Sequence, residues 1–323
     1  MTVAPLLEVN DLHVYYGSYR APVRAVNGVG FTLSSGESLG LVGESGCGKS
    51  TLGRALLRLE PIRGGRVVFA GVELGALRGR QLKAFRGQAQ MIFQDPYGAL
   101  NPRLSVGGML EEVLATHCRC RRAERAGRVA ELLRAVGMDP RYIRRYPHEL
   151  SGGQRQRLGL ARALAVQPKL IIADEPVSAL DVSVQAQILN LLQDLQRDLH
   201  LALLFIAHDL ATVRYLCHRV LVMYLGRIVE SGAAAVVYAH PRHPYTAALL
   251  SAAPHVERGL LARRTGSQRL VLSGDVPTPA TVIPGCPFHP RCPHRQAKCR
   301  IEIPALREIE ADHLAACHFA ETF

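Results

Sequence analysis

Apolar and polar residues alternate along the first forty positions of the chain. Between residues 6 and 42, runs such as Leu7-Glu8-Val9 and Phe31-Thr32-Leu33 are separated by turn residues. This alternation predicts a small sheet that leads into a buried strand over Ser38 to Val42. A helix is predicted to follow from Lys49 to about Leu59.

The middle of the chain, from residue 105 to residue 150, has a helical and charged pattern. Its clearest run, Arg121 to Val136, ends at Gly137, which is a helix-stop signal. We therefore expect a helical subdomain, at about residues 100–155, inserted into the sheet domain.

Helical and strand patterns alternate after Ser151. Helices are predicted over 154–166 and 184–199, and near-continuous apolar runs predict buried strands over 170–173 and 203–207. Such alternation favours an α/β fold with a parallel sheet covered on both faces.

The pattern changes again after about residue 235. Proline recurs at positions 277, 279, 284, 287, 290 and 293, which is too dense for regular elements. We expect one large domain over 1–235 and a separate, loop-rich extension over 236–323.

Hydropathy and charge indicate where the protein is located, but they do not identify its function. The longest apolar stretches, such as Leu201 to Ala207, fall far short of the ~20 residues that cross a bilayer, and the N-terminus does not resemble a secretory signal. We therefore expect the protein to be located in the cytosol. The formal charge of +12 is almost all arginine and suits nucleic acid or an anionic membrane, but no basic run is interleaved with aromatic residues.

A glycine-rich segment, Gly43-Glu44-Ser45-Gly46-Cys47-Gly48-Lys49-Ser50, lies between the predicted strand and helix. It fits the phosphate-loop pattern, in which glycines let backbone N–H groups turn inward around phosphates and the next helix adds its positive end. Lys49 would neutralise the terminal phosphates, and Ser50 would hold Mg²⁺. Cys47 would be a thiolate favoured by the helix dipole and Lys49, or would simply pack.

The apolar run over 170–173 ends in two carboxylates, Asp174 and Glu175. In a parallel sheet they would lie at the carboxyl edge beside the phosphate loop. Asp174 suits the Mg²⁺ shell, and Glu175 suits a general base that polarises the attacking water. Two further signals are weaker. Ser151 begins a predicted helix and is followed by two glycines, and His208 lies at the end of a predicted strand.

Four cysteines crowd into the last forty residues, with the spacing Cys286-x5-Cys292-x6-Cys299-x17-Cys317. Disulfides are disfavoured in a cytosolic chain, and four thiolates suit either Zn²⁺ or an iron–sulfur cluster. His289, His294, His313 and His318 lie nearby and could replace a thiolate.

Together, the motifs resemble those of the nucleotide-binding subunits of ABC transporters over essentially the whole chain. The resemblance implies an ABC-type phosphate-loop NTPase with a RecA-like core, an antiparallel β subdomain, an inserted α-helical subdomain and a loop-rich extension that contains the cysteines. It implies that residues 1–235 form the nucleotide-binding domain.

The same resemblance implies roles for individual residues. Ser151-Gly152-Gly153-Gln154 would be the signature motif that contacts the γ-phosphate held by a partner subunit, so two nucleotides would lie between the chains of a head-to-tail dimer. Tyr16, rather than Tyr15 or Tyr19, would stack on adenine. The expected ATP contacts are Tyr16, Gly43, Glu44, Ser45, Gly46, Cys47, Gly48, Lys49, Ser50, Thr51 and Gln94, with Ser151, Gly152, Gly153, Gln154 and Asp181 in trans; the expected Mg²⁺ ligands are Ser50, Gln94 and Asp174, and the expected catalytic residues are Lys49, Glu175 and His208.

Three longer segments are similar to the oligopeptide, dipeptide and nickel importers: 93–103, 176–185 and 243–250. Gly46-Cys47-Gly48 and Leu52-Gly53-Arg54 look more like the second of that system's two ATPase subunits. This implies that a paralogous ATPase is the heterodimeric partner and that two transmembrane permease subunits bind the ATPases. An extracytoplasmic substrate-binding protein would be an indirect partner. The subunit would be peripheral, on the cytoplasmic face of the plasma membrane. Some members bind a [4Fe-4S] cluster in the tail, so Cys286, Cys292, Cys299 and Cys317 are expected to hold one, with Zn²⁺ or a metal-free tail as alternatives.

The function expected from these features is ATP binding and hydrolysis that energises peptide import. Nickel or another small solute is the alternative cargo. A soluble ABC ATPase acting on nucleic acid or ribosomes would suit the basic charge, but such proteins carry two cassettes or a long coiled coil, so no nucleic-acid partner is expected. An iron–sulfur redox protein with a vestigial ATPase is disfavoured because every ATP-site motif is intact.

Overall fold

The computed structural model describes residues 4–17, 22–95, 97–118, 121–178, 180–252, 277–278, 281 and 283–322. Tyr19, Pro96, Cys120, Ala179 and Pro279, which the sequence patterns include, lie outside these ranges. The described residues form two compact units. Unit 1 contains Leu33–Glu37 and Ala76–Phe205, and unit 2 contains Leu7–Thr32, Ser38–Gly75 and the chain from Ile206 onward.

The regular elements follow the predicted alternation. The strands are β1 Leu7–Tyr16, β2 Val23–Leu33, β3 Ser38–Val42, β4 Gly64–Phe69, β5 Val72–Glu73, β6 Ala89–Ile92, β7 Leu170–Asp174, β8 Ala202–Ala207, β9 Arg219–Tyr224, β10 Arg227–Ala233, β11 Arg307–Glu310 and β12 His313–Ala315. The α-helices are α1 Lys49–Leu56, α2 Gly79–Gln88, α3 Val106–His117, α4 Arg122–Ala135, α5 Gly152–Leu164, α6 Val182–Leu199, α7 Leu210–Leu216, α8 Ala234–Ala239 and α9 Pro244–Ala252.

Unit 1 contains the predicted helical region and a parallel strand pair. Strands β6 and β7 run parallel, and their register ends with Ile92 beside Ala173. Every residue of β7 is buried, as its continuous apolar run predicts. Helices α3, α4 and α5 pack on one another, and this confirms that the charged helical pattern between residues 105 and 150 forms helices.

Unit 2 contains an antiparallel sheet in the order β2-β1-β4-β5, which confirms the small sheet predicted from the alternating pattern. Its second group of strands runs β3-β9-β10-β12-β11. Strand β3 is parallel to β9, with Val42 beside Val222, and the remaining pairs are antiparallel. All five residues of β3 are buried, so packing holds the strand end from which the next loop begins.

The end of the chain joins this second group of strands. Strands β11 and β12 form an antiparallel hairpin, and β12 pairs with β10, with Ala315 beside Glu230. The proline-rich pattern predicted loop for the whole extension and so did not predict the hairpin. That run of prolines ends at residue 293, whereas the hairpin begins later, at Arg307. The division into domains at residue 235 stays a prediction.

Within the described ranges, no helix has both the length and the apolar composition needed to cross a membrane.

Candidate functional site

The glycine-rich segment forms a loop between β3 and α1 that only glycine can build at two positions. A Cβ atom at Gly43 would overlap the carbonyl oxygen of Met223. Gly48, immediately before α1, has φ +108°, and a Cβ atom there would overlap the carbonyl oxygen of Ala25. Since both glycines are required by close backbone approach, the loop is a specific structure and not an ordinary turn.

Lys49 is buried, with 4% of its surface exposed, at the start of α1. Its ammonium donates hydrogen bonds to the carbonyl oxygens of Gly43 at 2.8 Å and Glu44 at 3.1 Å. The N–H of Gly226 donates to the carbonyl of Cys47 at 2.9 Å, which ties the loop to the turn between β9 and β10. A buried ammonium beside a helix N-terminus favours an anion such as phosphate.

Cys47 does not match the thiolate expectation. Its side chain is only 2% exposed, and this burial raises the pKa of the thiol above its usual value despite the opposing effect of Lys49. Desolvation outweighs the nearby positive charge here, so the neutral thiol is favoured. The thiolate hypothesis is wrong, and the packing role applies.

Two tyrosines at the end of β1 have different partners. The hydroxyl of Tyr16 lies 3.4 Å from that of Thr51 in α1, whereas the hydroxyl of Tyr15 lies 2.9 Å from Nδ1 of His13. The hydroxyl of Tyr16 therefore contacts the phosphate-loop helix. Its role in stacking on adenine stays a prediction.

The two carboxylates at the end of β7 lie in different environments. Asp174 is 1% exposed, whereas Glu175 is partly exposed and has φ +45°, which is uncommon for a residue with a side chain. The amide of Gln94 donates to the carboxylate of Glu175 at 3.0 Å. Because β6 and β7 are parallel neighbours, their carboxyl ends bring these two residues together.

Ser151 caps α5 with reciprocal hydrogen bonds. Its hydroxyl accepts from the N–H of Gln154 at 3.3 Å, and the side chain of Gln154 accepts from the N–H of Ser151 at 2.9 Å. This capping box holds an exposed helix N-terminus in place. A Cβ atom at Gly153 would lie 2.6 Å from Cγ1 of Val184 in α6, the helix that begins after Asp181, so this glycine permits close packing.

His208 is exposed and follows the last residue of β8. The next residue, Asp209, caps α7 by accepting hydrogen bonds from the N–H groups of Ala211 at 2.8 Å and Thr212 at 3.1 Å. The Asp209 cap thus fixes the start of α7 directly after the exposed His208.

The four cysteines of the extension line one common cavity. Its other lining residues include His289, His294 and His318. Burial raises the pKa of Cys286 to about 12 and also raises the pKa values of Cys292 and Cys317. In the part of the chain that the structure describes, no group of three or more His, Cys, Asp or Glu residues is placed to hold a metal ion. The four cysteines therefore share a cavity, but they are not arranged around a metal ion.

Two residues that the sequence analysis did not single out contact the phosphate loop. Arg291, which lies between Cys286 and Cys292, donates to both carboxylate oxygens of Glu44 at 2.7 and 3.0 Å. The hydroxyl of Tyr245 accepts from the N–H of Glu44 at 2.8 Å. No local pattern indicates either contact, because the partners are 247 and 201 residues apart.

Two family models match the chain. The model described as ABC transporter matches residues 26–178. The model described as the C-terminal region of oligopeptide/dipeptide transporters matches residues 229–299.

Similar proteins cover nearly the whole chain. A probable peptide ABC transporter ATP-binding protein of Sinorhizobium fredii is 53% identical over 97% of this chain and 89% of its own length. The oligopeptide transport ATP-binding protein AppF of Bacillus subtilis is 47% identical over 97% of both chains.

Solved structures resemble the chain over about seven tenths of its length. A dimeric ATP-binding cassette in a post-hydrolysis state, bound to ADP and phosphate, is 26% identical, with a TM-score of 0.64, and covers 71% of this chain and 98% of that one. A component of an ABC transporter complex from Clostridium perfringens is 28% identical, with a TM-score of 0.65, and covers 73% of this chain and 92% of that one.

Proposed function

The chain belongs to the family of ABC transporter ATP-binding proteins, and on that premise we propose that it binds and hydrolyses MgATP to energise the import of peptides. The observation that carries the proposal is the combination of an intact phosphate loop with a C-terminal region of the oligopeptide/dipeptide transporter type. Relatives named for peptide or oligopeptide transport match along almost the entire chain.

The proposed ATP site uses the loop geometry directly. The N–H groups at the start of α1 and the ammonium of Lys49 would bind the phosphates, and Tyr16 would stack on adenine. Ser50, Gln94 and Asp174 would hold Mg²⁺, which when bound neutralises charge on the transferred phosphoryl group. Glu175 would accept a proton from the attacking water, with its carboxylate oriented by the amide of Gln94. His208 would contact the terminal phosphate.

A second subunit would complete each site. The exposed N-terminus of α5, with Ser151, Gly152, Gly153 and Gln154, offers N–H groups and a positive helix end to the γ-phosphate bound by the partner. Asp181 would lie at the same dimer seam. Closure of the dimer by ATP, and its reopening after hydrolysis, would drive the permease between its two states.

The proposed assembly contains this subunit, a paralogous ATPase, two transmembrane permease subunits and, indirectly, an extracytoplasmic substrate-binding protein. The subunit would be peripheral, on the cytoplasmic face of the membrane. The domain of residues 1–235 would hold the nucleotide, and residues 236–323 would form the peptide-importer extension.

The convergence of Cys286, Cys292, Cys299 and Cys317 on one cavity supports the further proposal that they hold a [4Fe-4S] cluster. Anaerobically purified protein is expected to be brown and to contain iron and acid-labile sulfide. Colourless protein with one zinc ion per chain would identify zinc as the metal instead.

The experiment that tests the function is affinity purification from native membranes, followed by uptake measurements in cells that lack the gene. Two permease proteins and a second ATPase are expected to co-purify, and uptake of labelled di- and oligopeptides is expected to fall while nickel uptake is unchanged. Loss of nickel uptake alone, or co-purification with ribosomes, would refute the peptide proposal.

A further inference from the structure

Glu44 of the phosphate loop contacts the four-cysteine extension. The guanidinium of Arg291 donates two parallel hydrogen bonds to its carboxylate, at 2.7 and 3.0 Å. The side chain of Arg291 is only 7% exposed, and that of Glu44 is 24% exposed. A bidentate pair from which water is largely excluded fixes orientation as well as distance.

The backbone of Glu44 has a separate contact with the last third of the chain. Its N–H donates to the hydroxyl of Tyr245, a fully buried residue of α9, at 2.8 Å. The carbonyl of Glu44 accepts from Lys49. The carboxylate, the N–H and the carbonyl of this one loop residue are thus all engaged.

The turn that contains Arg291 is held by a backbone hydrogen bond and by the packing of Phe288. The N–H of Arg291 donates to the carbonyl of Phe288 in the same turn, and Phe288 is 1% exposed. The Phe288 ring lies 5.3 Å from that of Tyr224 and 5.5 Å from that of Tyr245, measured between centroids. Cys286 and Cys292, which flank this turn, line the common cysteine cavity.

From this geometry we infer that Arg291 is a positioning residue for the ATP site: the cysteine extension sets the conformation of the phosphate loop through Arg291 and Glu44, and thereby sets the affinity for ATP. The inference rests on the proposed function in that the loop is taken to bind ATP. It assigns the extension a part in nucleotide binding, beyond any role of the cysteines themselves.

Cys47 provides a reporter of the loop that needs no nucleotide. Its thiol is 2% exposed, and the N–H of Gly226 holds the carbonyl of the same residue. Maleimide reaches such a thiol only when the loop opens, so the rate of labelling at Cys47, measured by peptide mass mapping, reports how firmly the loop is held.

The test compares full-length variants by Cys47 labelling and by the dissociation constant of a fluorescent ATP analogue. Arg291→Met removes the guanidinium, Arg291→Lys keeps the charge but not the bidentate fork, and Glu44→Gln alters the other partner. Arg295→Met is the matched control for Cys47 labelling and ATP affinity, because Arg295 is exposed in the same extension and its described hydrogen bond goes to the carbonyl of Pro290.

We expect Arg291→Met to raise both the labelling rate and the dissociation constant about tenfold, within the usual range of coupling between sites. Arg291→Lys is expected to be intermediate, and Arg295→Met to match the wild type. The double variant Arg291→Met with Glu44→Gln is expected to be no worse than the worse single variant, because both changes remove the same interaction.

A pair that only anchors the extension would give a different result. Faster labelling confined to Cys286 and Cys292, with Cys47 labelling and ATP affinity unchanged, would overturn the inference, as would additive effects in the double variant. If Arg291→Met does not fold, Arg291→Lys and Glu44→Gln decide the question by the same criteria. If the wild type binds no ATP analogue, the proposed function fails, and Cys47 labelling still decides whether Arg291 holds the loop.

Discussion

Gln94 donates its side-chain amide to the carboxylate of Glu175 across 3.0 Å, although the two residues are 81 positions apart in the chain. The contact follows from the parallel pairing of β6 and β7, whose carboxyl ends coincide. Glu175 also has a left-handed backbone conformation, with φ +45°. Unusual backbone of this kind often occurs at functional sites.

The first prediction concerns the orientation of Glu175. Gln94→Ala removes the hydrogen bond that holds the carboxylate and also removes a proposed Mg²⁺ ligand, so we expect kcat for ATP hydrolysis to fall by about 10- to 100-fold, as misplacement of a catalytic group does. Phosphate release under saturating MgATP measures this. Gln81→Ala, at an exposed position of α2, is the control and should keep the wild-type rate; an equal loss in both variants would contradict the assigned role.

The second prediction concerns Gly48. Gly48→Ala must place a Cβ atom against the carbonyl of Ala25 at a backbone φ of +108°, so we expect a stability loss of more than ~1 kcal/mol and loss of ATP binding. Equilibrium unfolding and binding of a fluorescent ATP analogue measure the two effects.

Gly127→Ala is the matched control for Gly48→Ala. Gly127 lies inside α4, and outside its chain neighbours and its own helix backbone no atom of the described residues lies within 4 Å of a Cβ built there. Alanine should therefore stabilise the protein by ~0.5–1 kcal/mol and leave ATP binding intact. Normal nucleotide affinity in Gly48→Ala would show that the loop is not the phosphate site.

The third prediction separates capping from catalysis at Ser151. Ser151→Ala and Ser105→Ala each remove an N-cap hydroxyl, of α5 and α3 respectively, and each should cost ~1 kcal/mol of stability. Only Ser151→Ala should also abolish ATPase activity, because the α5 terminus is proposed to contact the partner's nucleotide. If the two variants retain equal activity, Ser151 is merely a helix cap.

The fourth prediction concerns the contact that joins the extension to β10. Both oxygens of Glu230 accept hydrogen bonds: Oε1 from the N–H of Arg242 at 2.6 Å, and Oε2 from the N–H of His243 at 3.0 Å. Nε2 of His313 lies 2.8 Å from Oε1, and Glu230, His243 and His313 are all buried.

Glu230→Gln must turn its amide NH₂ toward one of these donors, so we expect a loss of about 1–3 kcal/mol in the free energy of unfolding, measured by urea denaturation. Glu310→Gln changes an exposed carboxylate that pairs with the mostly buried side chain of Arg242, and it should cost less than ~1 kcal/mol. Equal urea midpoints for the two variants would mean that the buried contact does not stabilise the fold.

Local patterns predicted much of the fold because the relevant signals are short in sequence. The apolar runs at β3 and β7, the glycines of the phosphate loop and the serine cap of α5 each depend on neighbouring residues. For Cys47 the sequence left a thiolate and a packed thiol open, and the structure favours the packed thiol, since its burial depends on packing that the loop sequence does not indicate.

Contacts that join distant parts of the chain were not predicted. Arg291 lies in a segment whose cysteine spacing indicates a role for the thiols and not for the arginine. No local pattern indicates Glu44, 247 residues away, as the partner of Arg291. The β11–β12 hairpin has only seven paired-strand residues in two short strands, which is too little alternation to distinguish from loop.

The most direct test of ATP-driven peptide import is the uptake of a labelled oligopeptide by cells whose only copy of the gene carries Glu175→Gln. Immunoblotting should show a normal amount of the protein, because the change keeps the size of a partly exposed side chain. We expect uptake to fall to the level of cells that lack the gene, since loss of a general base reduces hydrolysis by about 10²–10⁴-fold. Uptake at the wild-type rate would contradict the account.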